Sequence, residues 1–157
     1  FMESEQMYGD KGEVPEGEYV LPIGVAEIKR EGTDVTIVSF GKIIKEAYKA
    51  ADELEKEGIS CEIIDLRTVR PYDKEAILKS VKKTNRLIIL EEAWPFGNVS
   101  TEISHMVQAE AFDYLDAPIY KINTQDTPAP YSPVLFAEWL PNHTHVVEGV
   151  KKVMYKK

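Results

Sequence analysis

The chain of 157 residues carries 27 acidic and 19 basic side chains, a formal net charge of −8, and 43% of its residues are hydrophobic. This length fits one folded domain, and the apolar content argues against an intrinsically disordered segment. The acidic balance disfavours nucleic-acid binding, and no apolar run approaches the roughly 18 to 20 residues of a membrane span, so we expect an intracellular protein without a membrane anchor.

The first 22 residues predict an extended acidic arm. Six acidic residues and one lysine lie before residue 19, and glycines and a proline interrupt the segment without a sustained apolar period. We expect residues 1–22 to be a linker and residues 23–157 to be the domain. Because the chain begins with Phe1, we expect a processed product or a segment of a longer polypeptide.

The first strand and helix are predicted between residues 19 and 58. The segment 19–28 is a candidate edge strand, and the β-branched run 34–40 predicts a buried strand that ends at Gly41. Apolar residues then recur at helical spacing until Gly58, which ends the helix.

The same pattern repeats twice. A strand at 61–66 contains Cys61, which we interpret as a buried thiol without redox chemistry, and Asp73 is a predicted cap for the following helix. The run 86–92 predicts a third strand, and a loop with Trp94 leads from it into another helix.

The last part of the chain predicts one more strand and one more helix. The strand lies at 118–123, the proline-rich segment 126–133 predicts a connection, and the final helix is predicted to end in Lys156 and Lys157. Strands that alternate with helices every 25 to 30 residues or so are typical of βαβ units. The sequence therefore predicts a three-layer, doubly wound α/β fold with a mostly parallel sheet, helices on both faces and a candidate antiparallel edge strand.

Ligands of such folds bind outside the carboxyl ends of the strands, where Glu91 and Glu92 lie. Adjacent residues of a regular strand point to opposite faces, so the two carboxylates are not expected to act as one acid/base pair. No dinucleotide or phosphate-binding glycine motif is present, and His143 and His145 are better explained as helix-capping residues than as metal ligands. The residues alone predict no catalytic, cofactor or metal site.

A family resemblance rests on six segments and on their order along the chain: MESEQMYG, VPEGEYVLPIGVAEIKREGTDVTIVSFG, CEIIDLRTVRPYD, KTNRLIILEEAWPFG, AFDYLDAPI and DTPAPYSP. They resemble the second half of the beta subunit of thiamine-diphosphate-dependent 2-oxo acid dehydrogenases, closest to pyruvate dehydrogenase. In family terms this is the transketolase C-terminal domain.

The resemblance implies a complete enzyme that oxidatively decarboxylates pyruvate and transfers the acetyl group to lipoyl groups. It implies that thiamine diphosphate and Mg²⁺ bind between the alpha subunit and the amino-terminal half of the beta subunit, so that this chain alone is inactive. The alternatives are a branched-chain 2-oxo acid or acetoin dehydrogenase, or a regulatory module that binds an anion or nucleotide. The implied location is the bacterial cytoplasm or, as the alternative, the mitochondrial matrix.

The implied partners are an alpha subunit and a second beta subunit in a heterotetramer, and the basic subunit-binding domain of a dihydrolipoyl acyltransferase. The family's acidic contact position falls on Asp116, and the nearby Glu110 and Asp113 extend the candidate surface. The lysines at the chain end lie near a carboxylate that some relatives use against the same partner. The isolated chain is a candidate homodimer.

A second group of residues is expected at subunit interfaces. Arg67 and Arg70 are interpreted as partners of Glu91, Glu92 or acids of a neighbouring subunit, with anion binding as the alternative. Trp94 is expected to be an apolar anchor, since aromatic residues are enriched in interface cores.

Overall fold

The computed structural model describes residues 1–156 and contains one five-stranded sheet between two layers of helices. The strand order is β1-β3-β2-β4-β5, in which β1 is an antiparallel edge strand and the other neighbours are parallel. The predicted α/β fold is confirmed. The strands are β1 Glu27–Arg30, β2 Val35–Ser39, β3 Cys61–Asp65, β4 Leu87–Leu90 and β5 Tyr120–Ile122.

Each face of the sheet buries a separate apolar core. One core joins β2, β3 and β4 to α1 and α5, and the other joins the same strands to α2 and α3. The central strands β2 and β4 are buried along their whole length, as expected for parallel strands covered on both faces. The helices are α1 Ile44–Lys56, α2 Lys74–Thr84, α3 Val99–Ala111, α4 Pro133–Trp139 and α5 His143–Val153.

Side-chain caps determine where three of these helices begin. The Asp73 carboxylate accepts the N–H of Ala76 at 3.0 Å at the start of α2, as predicted. Asn98 caps α3, and Asn142 forms a capping box with His145 at the start of α5. These bonds satisfy N–H groups that have no partner inside a helix.

Several predicted boundaries are wrong. β4 ends at Leu90, so Glu91 and Glu92 follow the strand rather than forming part of it. The edge strand occupies Glu27–Arg30 and only overlaps the predicted segment 19–28. The last helix ends at Val153, ahead of Lys156, and Lys157 lies outside the described residues.

A helix that the sequence pattern did not indicate begins at the last residue of the proline-rich connection. α4 begins with Pro133 at its first turn and contains no buried residue. A helix without a buried stripe leaves little apolar periodicity, and proline is favourable at a first helical position. No helix described for residues 1–156 is long and apolar enough to cross a membrane.

Candidate functional site

The sheet has a topological switch point between β2 and β4, since the chain leaves these neighbouring strands toward opposite faces. Doubly wound sheets bind ligands outside the carboxyl ends of the strands at this position. A crevice of about 800 Å³ lies there, lined by residues 40–43, Glu92 and residues 2–8.

The chain's own first residues form one wall of this crevice. Residues 2–8, here called the docked segment, contain a single 3-10 turn at Glu5–Met7. The Lys42 ammonium donates to Gln6 Oε1 at 2.9 Å, and an ion pair of 2.5 Å joins Lys45 to Asp10 just beyond the docked segment. The position that holds ligands in related architectures is thus partly covered by the polypeptide itself.

Glu92 is the carboxylate that faces the crevice. Its Oε1 lies 3.1 Å from Lys42 Nζ, so one lysine contacts both Glu92 and the docked segment. Within residues 1–156, Glu91 and Glu92 share no hydrogen-bond or ion-pair partner. Neither glutamate forms a hydrogen bond or ion pair with Arg67 or Arg70. The interpretation that these arginines and glutamates pair within the chain is therefore wrong.

Glu91 is completely buried and serves as a structural acceptor. Its Oε2 accepts the Ser100 N–H in the first turn of α3 at 3.2 Å, and its Oε1 accepts from Asn123 Nδ2 at 3.0 Å, just after β5. Burial raises the pKa of the Glu91 carboxyl, and the hydrogen bonds from Ser100 and Asn123 offset part of that rise. Its side chain ties the ends of three elements together and faces away from the crevice.

The two arginines of the β3–α2 loop have different surroundings. Arg67 adopts a left-handed backbone conformation with φ of 57° and forms an ion pair with Glu27 of β1. Arg70 lines a second cavity of about 680 Å³ between its own loop and the start of α3, and Glu102 lines the same cavity. Glu27 also pairs with Lys29, and Arg67 does not line the cavity of Arg70, so the two arginines do not form one cationic site for an anion.

Trp94 belongs to an exposed aromatic surface at the same end of the sheet. Its side chain is 54% exposed, and its indole N–H donates to the Thr127 carbonyl at 3.1 Å. The Trp139 indole of α4 donates to the same oxygen at 3.0 Å, and the Trp139 ring stacks on Phe136. Sequence reasoning missed Trp139 because its helix was not predicted. A shared acceptor thus connects the loop after β4 to α4.

The three acidic residues of the predicted partner surface have separate surroundings. Asp116 is close to the start of β4, because its N–H donates to Asn85 and its Oδ2 lies 3.1 Å from Arg86 Nη2. The Asp116 side chain remains 56% exposed. Glu110 pairs with Lys74 at 2.9 Å, and Asp113 forms no ion pair with any residue between 1 and 156.

In the described part of the chain, the side chains that could ligate a metal ion do not converge. In the part of the chain from 1 to 156, no three His, Cys, Asp or Glu side chains converge on a position that could hold a metal ion. Burial raises the pKa of the single Cys61 thiol to about 12, so a reactive thiolate is not formed near neutral pH. No catalytic step is therefore derived from these side chains.

Comparison with known proteins adds independent information. The chain is 52% identical to a pyruvate dehydrogenase E1 component subunit beta from Rhizobium meliloti, over 99% of this chain and 34% of the relative. It is 46% identical to an acetoin:2,6-dichlorophenolindophenol oxidoreductase subunit beta from Bacillus subtilis, over 94% of this chain and 43% of the relative. The chain thus spans less than half the length of these two relatives.

The fold has a counterpart among solved structures. A split gene transketolase, described as an inactive beta4 tetramer, superimposes with a TM-score of 0.77 and 26% identity over 93% of this chain and 46% of its own. The family profile of the transketolase C-terminal domain matches residues 24–146, most of the chain. The chain therefore belongs to the transketolase C-terminal domain family.

Proposed function

We propose that this chain is the C-terminal domain of a pyruvate dehydrogenase beta subunit and that it acts in assembly. The observation that carries the proposal is the 52% identity to such a subunit over nearly the whole chain. In this proposal, the complete enzyme acts on pyruvate and uses thiamine diphosphate and Mg²⁺ held outside this chain. The proposed location is the bacterial cytoplasm.

The second candidate is the corresponding domain of an acetoin dehydrogenase, which the 46% identity to an acetoin oxidoreductase beta subunit supports. Assays of the complete enzyme that contains this chain, with pyruvate, branched-chain 2-oxo acids and acetoin, separate the candidates. We expect pyruvate to give the highest kcat/KM. A higher value for acetoin would transfer the assignment to the second candidate.

We also propose that Asp116 receives a basic partner domain, the subunit-binding domain of an acyltransferase. The exposed side chain has one oxygen near Arg86 and a second oxygen for another cation. Charge-assisted hydrogen bonds of this kind are stronger than neutral ones and orient the partner. Asp113 is proposed to contribute long-range attraction, and Glu110 is proposed to contribute less of it, because Lys74 already neutralises Glu110. Trp94, Arg70 and Glu92 remain proposed subunit contacts, whereas the contacts of Arg67 and Glu91 described above are structural.

Substitution of Asp116 tests the docking proposal. In Asp116→Lys, the added ammonium would lie beside Arg86 and repel it. Asp116→Asn is the better variant, because its amide oxygen still accepts a hydrogen bond from Arg86. We expect loss of one charged contact to weaken capture of the subunit-binding domain by the assembled enzyme about tenfold. The matched control is Asp113→Asn, which should change affinity much less. Equal affinity of Asp116→Asn and the parent enzyme at low salt would refute the assignment.

A further inference from the structure

The outer edge of β5 has backbone groups that no strand of this sheet uses. β5 is the last strand of the order and pairs only with β4. In a parallel ladder, the N–H and C=O of one residue point to the neighbouring strand on one side, and those of the next residue point to the other side. Ile122 faces β4, since its carbonyl accepts the Glu91 N–H at 3.1 Å. The backbone groups of Lys121 and Asn123 therefore point away from the sheet.

The chain itself occupies one position just beyond this edge. The N–H of Gln125 donates to the Trp139 carbonyl at 3.3 Å, and Gln125 Nε2 donates to the Glu138 carbonyl at 3.1 Å. Across residues 1–156, no loop or turn contributes a comparable bond to the backbone of Lys121 or Asn123. Within that range, the backbone groups of Lys121 and Asn123 thus remain free, whereas the N–H of Gln125, two residues further on, is bonded to the end of α4.

Two grooves flank this free edge, one on each face of the sheet. The first, about 220 Å³, lies between β5, residues 138–141 and α5. The second, about 440 Å³, lies between residues 118–121 and α3. A strand that pairs with the edge directs alternate side chains to opposite faces, so one set enters each groove.

The grooves differ in charge. The first contains Glu138 and Glu148, neither of which forms an ion pair within residues 1–156. Its His145 is engaged in the α5 cap, because Nδ1 accepts the Asn142 N–H at 3.1 Å. The second groove contains no carboxylate, and its lining combines uncharged side chains such as Thr101 and Ile119 with His105 and Lys121.

Lys121 does not protect the edge in the way that an outward lysine often does. Its ammonium points inward and donates to the Pro95 carbonyl at 2.7 Å and to Thr101 Oγ1 at 2.8 Å. The edge therefore combines free backbone groups, a groove with two carboxylates on one face and a groove without carboxylates on the other.

We infer that the β5 edge binds an extended segment of a partner protein, with basic side chains on one face and small apolar side chains on the other. Main-chain hydrogen bonds to Lys121 and Asn123 would add this segment as a sixth strand. A second copy of this chain is a poorer occupant, since antiparallel pairing of β5 with itself brings the two acidic grooves side by side. The inference does not depend on the proposed enzyme.

The test uses the complete chain and a fluorescein-labelled hexapeptide of alternating lysine and valine, blocked at both ends. Fluorescence anisotropy should show binding that weakens with added salt, whereas an alternating glutamate and valine peptide should not bind. Lys121→Pro removes the outward N–H without removing a bond to β4, as proline is tolerated on an edge strand. It should weaken binding roughly tenfold relative to Lys121→Ala, which keeps the N–H and loses the same ammonium.

A second variant tests the acidic groove without changing the backbone. The double substitution Glu138→Gln and Glu148→Gln should weaken lysine–valine peptide binding and reduce its salt dependence, whereas the exposed Glu53→Gln should leave both unchanged. Equal affinities of Lys121→Pro and Lys121→Ala would overturn the proposal. So would equal binding of the two peptides, or a concentration-dependent dimer in sedimentation experiments that Lys121→Pro abolishes, because the occupant would then be a second copy.

Discussion

Glu91 shows how a single buried carboxylate can be structural at the carboxyl end of a strand, where ligands of such folds usually bind. Both of its oxygens accept hydrogen bonds, one from the first turn of α3 and one from Asn123. A carboxylate near a helix N-terminus is favoured by the helix dipole, whereas its complete burial disfavours the ionised form. The sequence predicted that Glu91 and Glu92 would point in different directions. Which one faces the crevice could not be predicted, because β4 ends at Leu90 and the strand alternation does not extend to these residues.

The pH dependence of stability provides a test at this residue. Because the pKa of Glu91 is raised in the folded chain, the folded state binds its proton more readily than the unfolded state does. Glu91 therefore makes the free energy of unfolding fall as pH rises from its ordinary pKa of 4.5 through the folded value. Glu91→Gln should flatten this part of the profile in urea unfolding experiments from pH 4 to 8 or so.

The control for this experiment is Glu92→Gln, which removes the neighbouring carboxylate from the crevice and leaves the buried one in place. An unchanged slope in Glu91→Gln would show that Glu91 does not titrate differently in the folded chain. Glu91→Ala should be more destabilising, by about 1 to 3 kcal/mol, because the Ser100 N–H and the Asn123 amide lose their acceptor.

Asp73 connects two elements that are distant in sequence. One oxygen caps α2 through Ala76, and the other accepts the Ala26 N–H at 3.0 Å, immediately before β1. The edge strand is thus held by a helix cap as well as by its ladder with β3. The sequence identified the cap, but the contact with Ala26 depends on tertiary structure.

Two substitutions separate these roles of Asp73. Asp73→Asn retains an acceptor for the cap and loses the second one, so hydrogen exchange at the Ala26 amide should accelerate while α2 stays protected. Asp73→Ala should expose both sites and reduce the free energy of unfolding by about 1 kcal/mol or more. Identical exchange profiles for the two variants would contradict this division.

At the level of whole elements, the sequence predicted the parallel strands and four of the five helices. Those elements have β-branched runs or apolar stripes that are buried in the cores. α4 was missed because its side chains are not buried, and the prolines of the segment 126–133 that leads into it favoured a loop prediction. For the same reason, the sequence pattern could not predict that Trp94 and Trp139 lie together; the structure shows it through their shared bond to Thr127.

The proposed domain boundary near residue 22 concerns the whole molecule. Residues 1–22 are almost entirely exposed, whereas the Gly24 N–H donates to Thr68 at 2.9 Å and the Ala26 N–H donates to Asp73. The ion pair of Lys45 with Asp10 is partly exposed, and such pairs contribute little to stability. The boundary remains a proposal that truncation can test.

Removal of residues 1–22 should change the free energy of unfolding by less than about 0.5 kcal/mol, as for other exposed positions. Removal of residues 1–26 should cost more, since the bonds to Thr68 and Asp73 are lost with it. Chemical denaturation of both truncated chains measures the difference. A large loss from the shorter truncation would assign the arm to the domain.

The docked segment has a consequence for any molecule that enters the switch-point crevice. Such a ligand would contact residues 2–8 on one side and the residues after β2 on the other, so its affinity would depend on the fraction of chains in which the segment is docked. Loss of the contact between Gln6 and Lys42 would remove one wall of the crevice and weaken the binding of such a ligand.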